Sequence, residues 1–133
     1  MEEARRSAVV RRRVVVALAV AAVAIACAVV DSFRRALATR DFATICDSLF
    51  GKRARTAAGG DDCQSVLAQA AARIRRPSLQ IKSVVLTRGN TAAVGVVAGA
   101  TGRRGAPDVI RLVRERGRFR IGSAGNPVRA AGG

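Results

Sequence analysis

The chain has 133 residues and a formal net charge of +15, carried almost entirely by arginine. This length accommodates one domain of ordinary size and a short additional segment. The sequence has no histidine, tyrosine or tryptophan, which excludes a histidine general base, a histidine-paired nucleophile and the usual nitrogen-ligated zinc site. The composition therefore predicts no metal site, no cofactor and no enzymatic activity of these kinds.

An apolar segment dominates the beginning of the chain. Residues 1–13 form a basic leader with five arginines, and residues 14–30 follow without a polar or charged side chain. As a helix this run spans roughly 25 Å, slightly less than the roughly 30 Å hydrocarbon core of a bilayer. Because arginines concentrate on the cytoplasmic side, the run predicts a single-pass helix in the cell membrane, with residues 31–133 outside the cytoplasm. Three arginines follow closely, so the opposite orientation stays open.

Two other interpretations of the apolar segment remain. Ala24 and Ala26 are small residues at alternate positions, as signal peptidase favours, and they predict a secreted protein. The segment also resembles a bacterial lipoprotein signal, with Cys27 as the residue that carries the lipid. In a retained membrane helix, Cys27 is simply a small apolar residue that faces lipid. All these interpretations export the remainder of the chain.

Helical periodicity continues beyond the apolar segment. Apolar residues recur three and four apart in residues 33–49, which predicts two short helices. Asp41 precedes the second group, where its carboxylate can cap free backbone N–H groups. The sequence therefore predicts a break in the helix at residues 39–41.

A loop and a third helix are predicted next. Residues 51–60 contain glycines at both ends, three positive charges and no periodicity, which is typical of a mobile loop. The third helix begins at Asp61 or Asp62, with Gln64 placed as in a capping box. Its apolar stripe consists of Val66, Leu67, Ala70, Ala71 and Ile74. Pro77 marks its end.

Beyond Pro77 the apolar period changes to two, which is typical of β-strands. A slip of phase before Val84 predicts a bulge in the first strand. A tight turn at residues 88–91 leads into a second strand at residues 92–98. Gly95, inside this strand, predicts a bend or a close backbone approach.

A closing hairpin is predicted at the end of the domain. The polar, glycine-rich residues 99–107 are expected to form a loop. Residues 109–114 and 118–121 then form two strands joined by a turn. Two or three helices and four antiparallel strands give an α+β domain at residues 31–123, and we expect a flexible tail at residues 124–133.

The two remaining cysteines lie on the apolar stripes of their predicted helices. Cys46 belongs to the second helix and Cys63 to the third, and both are expected to face the core. A disulfide between them suits an oxidising compartment and contributes roughly 3 kcal/mol of stability through the loop that it closes. Two buried, reduced thiols are the alternative. The C-x-x-C spacing of a redox-active pair is absent.

Two local patterns resemble the nuclear-transport-factor-2-like superfamily. Residues 33–50, FRRALATRDFATICDSLF, are similar to the opening helices of its small exported actinobacterial members. Residues 112–121, LVRERGRFRI, are similar to the closing hairpin, with Phe119 where tryptophan often stands. The resemblance covers about residues 31–123. It implies a cone of helices on a curved sheet and pairing of two copies through the sheet. The cone can enclose an apolar cavity, in which the small residues Ala92, Ala93, Gly95 and Ala98 leave space; close packing of the helices on these residues is the alternative.

Enzymes of this superfamily place acids, histidines or tyrosines inside the cone. This chain has no histidine or tyrosine, and its few acids are predicted at helix caps, strand ends and turns. The sequence therefore predicts a domain that acts through binding or association without catalysis. The acids outside the leader are Asp31, Asp41, Asp47, Asp61, Asp62, Asp108 and Glu115.

The positive charge predicts an anionic partner. Residues 31–133 carry nineteen basic and seven acidic side chains, and such a field attracts polyanions. Arg111, Arg118 and Arg120 alternate with apolar neighbours, so we expect them to share the solvent face of the closing hairpin and to bind anionic lipid or anionic cell-wall polymer. A solvated face in an arginine-rich proteome is the alternative. The lack of interleaved aromatic residues argues against nucleic acid.

Overall fold

A computed structural model describes residues 2–87 and 91–124. Its first element, α1 (Glu2–Thr39), is one continuous helix that includes both the apolar segment and the first predicted short helix. Within the described residues, α1 is the one helix that is long and apolar enough to cross a membrane, with a mean hydropathy of 2.7 in its most apolar window.

The break after α1 is confirmed. Arg40 follows the helix in a left-handed conformation, with φ of 55°, and this conformation ends a helix. Asp41 then caps α2 (Phe42–Thr44), because its Oδ1 accepts a hydrogen bond of 3.2 Å from the N–H of Thr44. One π-helical turn, Ile45–Leu49, continues from α2.

The prediction of a loop at residues 51–60 is wrong. The chain forms α3 (Lys52–Ala57) there. Both carboxylate oxygens of Glu115 accept hydrogen bonds from the Lys52 N–H, at 3.1 and 3.0 Å, and Ala54 is buried. A cap and a packing contact from distant parts of the chain thus stabilise a helix that local sequence does not indicate.

The third predicted helix is α4 (Cys63–Ala71), preceded by a 3₁₀ turn at Gly60–Asp62. Asp62 occupies its N-cap position, but in the described part of the chain its side chain makes no capping hydrogen bond. The predicted capping box with Gln64 is therefore not formed, and the 3₁₀ turn opens the helix instead.

The four predicted strands form one open antiparallel sheet in the order β1-β2-β3-β4. The molecule therefore belongs to the α+β class, with its helices packed on the sheet. The strands are β1 (Ser78–Thr87), β2 (Thr91–Ala100), β3 (Arg103–Glu115) and β4 (Arg118–Ala124).

The predicted bulge in β1 is confirmed, because the pairing with β2 shifts between Ile81 and Ser83. Gly95 lies opposite Ser83, and a Cβ atom at Gly95 would collide with the Ser83 hydroxyl. The close neighbour is thus a side chain and not the backbone that was predicted, since the backbone N of Ser83 would lie 3.9 Å from that Cβ.

The prediction of a loop at residues 99–107 is wrong. β2 continues to Ala100 and β3 starts at Arg103, so only a two-residue turn separates them. Pro107 lies within β3, opposite Val97. It is tolerated because β4 ends opposite Ile110, which leaves this part of β3 at an edge of the sheet.

The turn of the closing hairpin is confirmed. Arg116 and Gly117 join β3 to β4 with positive φ values of 51° and 77°, as a two-residue hairpin loop requires. The predicted turn at 88–91 falls mostly, and the predicted tail largely, outside the described residues, which end at Ala124.

The core extends into the apolar segment. Ala26, Val30, Phe33 and Ala36 lie three or four residues apart on α1, and all four are buried against the rest of the domain. The domain therefore begins inside residues 14–30 and not at residue 31, because the last turns of the run pack on protein.

Candidate binding site

A cleft of about 670 Å³ lies between the helices and one end of the sheet. This volume falls within the range of small-molecule sites, roughly 300 to 1,000 Å³. Its walls come from the end of α1, from α3 and α4, and from the ends of β1 and β2. Most lining side chains are apolar, and they include Phe33, Leu37, Phe50, Ala54, Leu67, Ala70, Ala71, Ile74, Leu79 and Ala98.

Sequence periodicity accounts for the apolar walls. Leu37 continues the stripe of α1 that buries Phe33, and the ring of Phe33 packs on Phe50 with 6.2 Å between centroids. Leu67, Ala70 and Ile74 form the stripe predicted for the third helix. Small alanines along this stripe leave the space that larger side chains would fill.

Arginines border the cleft. Arg40, Arg53 and Arg76 contribute to its lining, and all three are exposed. The guanidinium of Arg40 donates hydrogen bonds to the carbonyl oxygens of Ala71 at 3.4 Å and Ile74 at 3.3 Å. These bonds hold the end of α1 against the end of α4. The cleft thus joins an apolar interior to a cationic border.

The acids serve structural contacts outside the cleft. Hydrogen bonds from the Thr44 hydroxyl and N–H hold the pKa of Asp41 below its usual range. A hydrogen bond from Arg34 lowers the pKa of Asp31, which pairs with Arg34 at 2.8 Å within α1. Asp31 therefore does not act as the predicted helix cap.

Two further acids form contacts at the surface. Asp47 pairs with Arg55 at 3.4 Å, and the Glu115 carboxylate caps α3. Within residues 2–87 and 91–124, no charged or polar side chain is buried and no three metal-ligating side chains cluster. This arrangement offers an apolar molecule a place to bind and offers no obvious group for proton transfer.

Cys46 and Cys63 are joined in a disulfide, with 6.1 Å between their Cα atoms. Both residues are buried in the core, as their helical stripes predicted. The bond connects the π-helical turn to the start of α4 and so fixes the position of α4, which is one wall of the cleft. Cys27 is a free, partly exposed thiol on α1.

The three arginines predicted to form an anionic-surface site lie on the same sheet face by register. Arg120 is opposite Val113 and Arg118 is opposite Glu115, while Arg111 precedes them on β3. Arg120 is half-buried, and its guanidinium donates to the carbonyl oxygen of Ser48 at 2.9 Å. It therefore braces the π-helical turn, whereas Arg111 and Arg118 are exposed.

Neither a protein-family model, nor a curated protein, nor a solved structure matches this chain. The resemblance to the nuclear-transport-factor-2-like superfamily therefore remains a prediction that rests on residues 33–50 and 112–121.

Proposed function

We propose that this chain is a binding domain held outside the cytoplasm by a single membrane-crossing helix, and that its cleft accepts the apolar part of an anionic amphiphile. The observation that carries the proposal is the apolar cleft with a border of arginines. Such a combination suits a molecule with an acyl or similar chain and an acidic head group. The proposed role is binding without catalysis, as the sequence predicts.

Retention of the membrane helix is favoured over cleavage. Signal cleavage before Cys27 or Ala28, for secretion or lipidation, would remove Ala26 from the chain. Ala26 is fully buried in the core, so its loss would expose the apolar side chains around it. The five arginines of the leader favour a cytoplasmic N-terminus, and the disulfide suits an oxidising compartment.

Photo-crosslinking tests the cleft. Full-length protein in vesicles is irradiated with a diazirine-bearing fatty acid, and labelled peptides are identified by mass spectrometry. Labels on α1 can come from the bilayer, whereas labels on Leu67 or Ile74 require occupancy of the cleft. We expect labelling of α4 that unlabelled fatty acid competes away.

Two variants sharpen this test. Ala70→Phe places a ring in the cleft and should suppress labelling of α4. Ala72→Phe adds the same ring at an exposed position that does not line the cleft, and it should leave labelling unchanged. Labelling confined to α1, or equal in the two variants, would contradict the proposed site.

A further inference from the structure

The apolar segment and the domain core share residues. Ala26 and Val30 are buried in the core and Ala22 packs against it, although all three belong to residues 14–30. The part of the run before Ala22, residues 14–21, rises only about 12 Å as a helix, well short of the roughly 30 Å hydrocarbon core. A membrane that accommodates the whole run must therefore touch the folded domain.

The direction of α1 tells which end of the domain faces the membrane. Its last residues lie where β1 begins and β2 ends, because Leu37, Leu79 and Ala98 line one cleft. The guanidinium of Arg40 donates a hydrogen bond to the carbonyl oxygen of Ile74, which precedes β1. This bond also places the C-terminal end of α1 beside the start of β1. Going back towards its N-terminus, α1 crosses the inner face of the sheet towards the opposite end.

The core at that opposite end agrees with this direction. Ala92, Leu112 and Phe119 lie near the start of β2 and the turn of the β3–β4 hairpin, and they are buried in the core cluster that also contains Ala26. The end of β1, the start of β2 and the β3–β4 turn therefore lie at the end of the sheet towards which the earlier turns of α1 lead.

The exposed side chains there include aliphatic residues and arginines beside Thr87 and Thr91. Val85 is 55% exposed and Leu86 is 37% exposed at the end of β1. Arg114, Arg116 and Arg118 are exposed around the β3–β4 turn. We name Val85, Leu86 and the three arginines the membrane-proximal end. Aliphatic groups beside long cationic side chains suit the boundary between acyl chains and phosphates.

The net charge of the membrane-proximal end is positive, because the acid of the β3–β4 turn is already engaged in hydrogen bonds. Glu115, the acid of this turn, accepts hydrogen bonds from the Lys52 N–H. The guanidinium carbon of Arg114 lies 4.8 Å from the centroid of the Phe119 ring, which holds that side chain beside the turn. Three cations at one end of the domain attract anionic head groups over a distance of about one Debye length.

We propose that the membrane-proximal end docks on the surface of the bilayer that α1 crosses, with Val85 and Leu86 at the interface and the three arginines at lipid phosphates. This inference rests on the membrane-crossing helix of the proposed function. Docking compensates for the shortness of the run, because a thinned bilayer meets the domain directly. The docked domain lies directly on the membrane surface and is not held away from it by a linker.

Single tryptophans test this docking, because the natural chain contains none. Full-length Val85→Trp protein is reconstituted into vesicles of phosphatidylcholine and phosphatidylglycerol, with and without brominated lipids that quench on contact. Leu18→Trp, on the exposed early part of α1, reports the membrane helix itself. Val109→Trp replaces a residue of similar exposure, 40%, in the middle of the sheet. Leu86→Trp is a second reporter if Val85→Trp does not fold.

We expect strong quenching at Leu18→Trp, clear quenching and a blue shift at Val85→Trp, and neither at Val109→Trp. Quenching at Leu18→Trp with none at Val85→Trp or Leu86→Trp would overturn the docking and leave the membrane helix intact. Absence of quenching at all positions would overturn the membrane helix and the docking together.

Removal of charge separates head-group binding from simple proximity. We expect glutamine at the three arginines of the turn to reduce the quenching of Val85→Trp to its value in vesicles of phosphatidylcholine alone. Glutamine at three exposed arginines elsewhere should leave the quenching unchanged. The test variant carries Arg114→Gln, Arg116→Gln and Arg118→Gln, and the control variant carries Arg73→Gln, Arg75→Gln and Arg104→Gln. Equal effects of the two variants on the quenching would overturn the binding of lipid phosphates by the arginines of the turn.

Discussion

The two halves of α1 both contain an apolar stretch, but they have different surroundings. Residues 4–21 are exposed on every side, whereas Ala26, Val30, Phe33 and Ala36 form a buried stripe in the second half. Hydropathy alone treats residues 14–30 as one membrane segment, yet its last turns pack on the domain. A single helix can therefore be apolar enough to cross a membrane and also form the first element of a core, with no linker between the two parts.

The largest expected effect on folding and on membrane insertion comes from a single aspartate introduced into each half of α1. Val30→Asp buries a carboxylate in the core and should prevent stable folding, at a cost of several kcal/mol. Leu18→Asp should leave the domain folded and weaken membrane insertion by about 2.5 to 3.5 kcal/mol. Disulfide formation and flotation with vesicles measure the two effects. Similar behaviour of the two variants would contradict the division of α1.

Removal of the disulfide should affect only the domain. The Cys46→Ser, Cys63→Ser double variant opens a loop with a sequence separation of 17, which should cost about 3 kcal/mol. Urea unfolding of the full chain in micelles measures this loss, and vesicle association should persist. Cys27→Ser, which changes a free thiol on α1, is the matched control and should change stability little. A double variant as stable as this control would show that the bond is dispensable.

Added volume distinguishes the two sides of the helix within the apolar segment. Ala26 is fully buried and Ala28 is exposed, although they are two residues apart. Ala26→Leu should overpack the core and destabilise the fold by about 1 to 3 kcal/mol. Ala28→Leu should be neutral for folding and favourable for insertion. Unfolding midpoints measure the difference, and equal midpoints would place Ala26 outside the core.

The cap on α3 should contribute a smaller amount. Glu115→Gln keeps a hydrogen-bond acceptor near the Lys52 N–H and removes the negative charge, so a loss of about 1 kcal/mol is expected. Asp47→Asn removes an exposed ion pair with Arg55 and should cost less. Urea titrations of both variants make the comparison, and a larger loss for Asp47→Asn would argue against the cap.

Acid should lower the stability that Asp31 and Asp41 contribute to the fold. The pKa values of Asp31 and Asp41 are lowered by hydrogen bonds from Arg34 and Thr44 respectively. A carboxyl with a lower pKa in the folded state stabilises the fold above its unfolded pKa, and this contribution disappears as pH falls through the folded value. Stability should therefore fall below about pH 4. Asp41→Asn should reduce this dependence, and an unchanged acid limb in urea titrations would contradict it.

Features encoded by neighbouring residues could be predicted from the sequence. The break at Asp41, the bulge before Val84 and the turn at Arg116 and Gly117 follow from caps, phase and turn chemistry. Helical stripes also placed both cysteines of the disulfide in the core. Each of these signals lies within a few residues of the structure that it specifies.

Features that depend on distant contacts were missed. α3 forms because Glu115 caps it from 63 residues away, and no local pattern contains that information. The start of β3 forms because Ala106 pairs with Ala98, which overrides the turn preference of a glycine-rich stretch. The cleft likewise depends on how α3 and α4 meet the sheet, so the sequence indicated the apolar stripe of the third helix and Ala98 and missed the wall that α3 contributes.

The mass of the native protein recovered from the membrane fraction tests most directly whether the second half of α1 is retained as part of the core. We expect an intact N-terminal region that includes Ala26, with Cys46 and Cys63 bridged, since the second half of α1 belongs to the core. A mature chain that begins at Cys27 or Ala28 would contradict it, because the protein would then fold without the helix turns that the core requires.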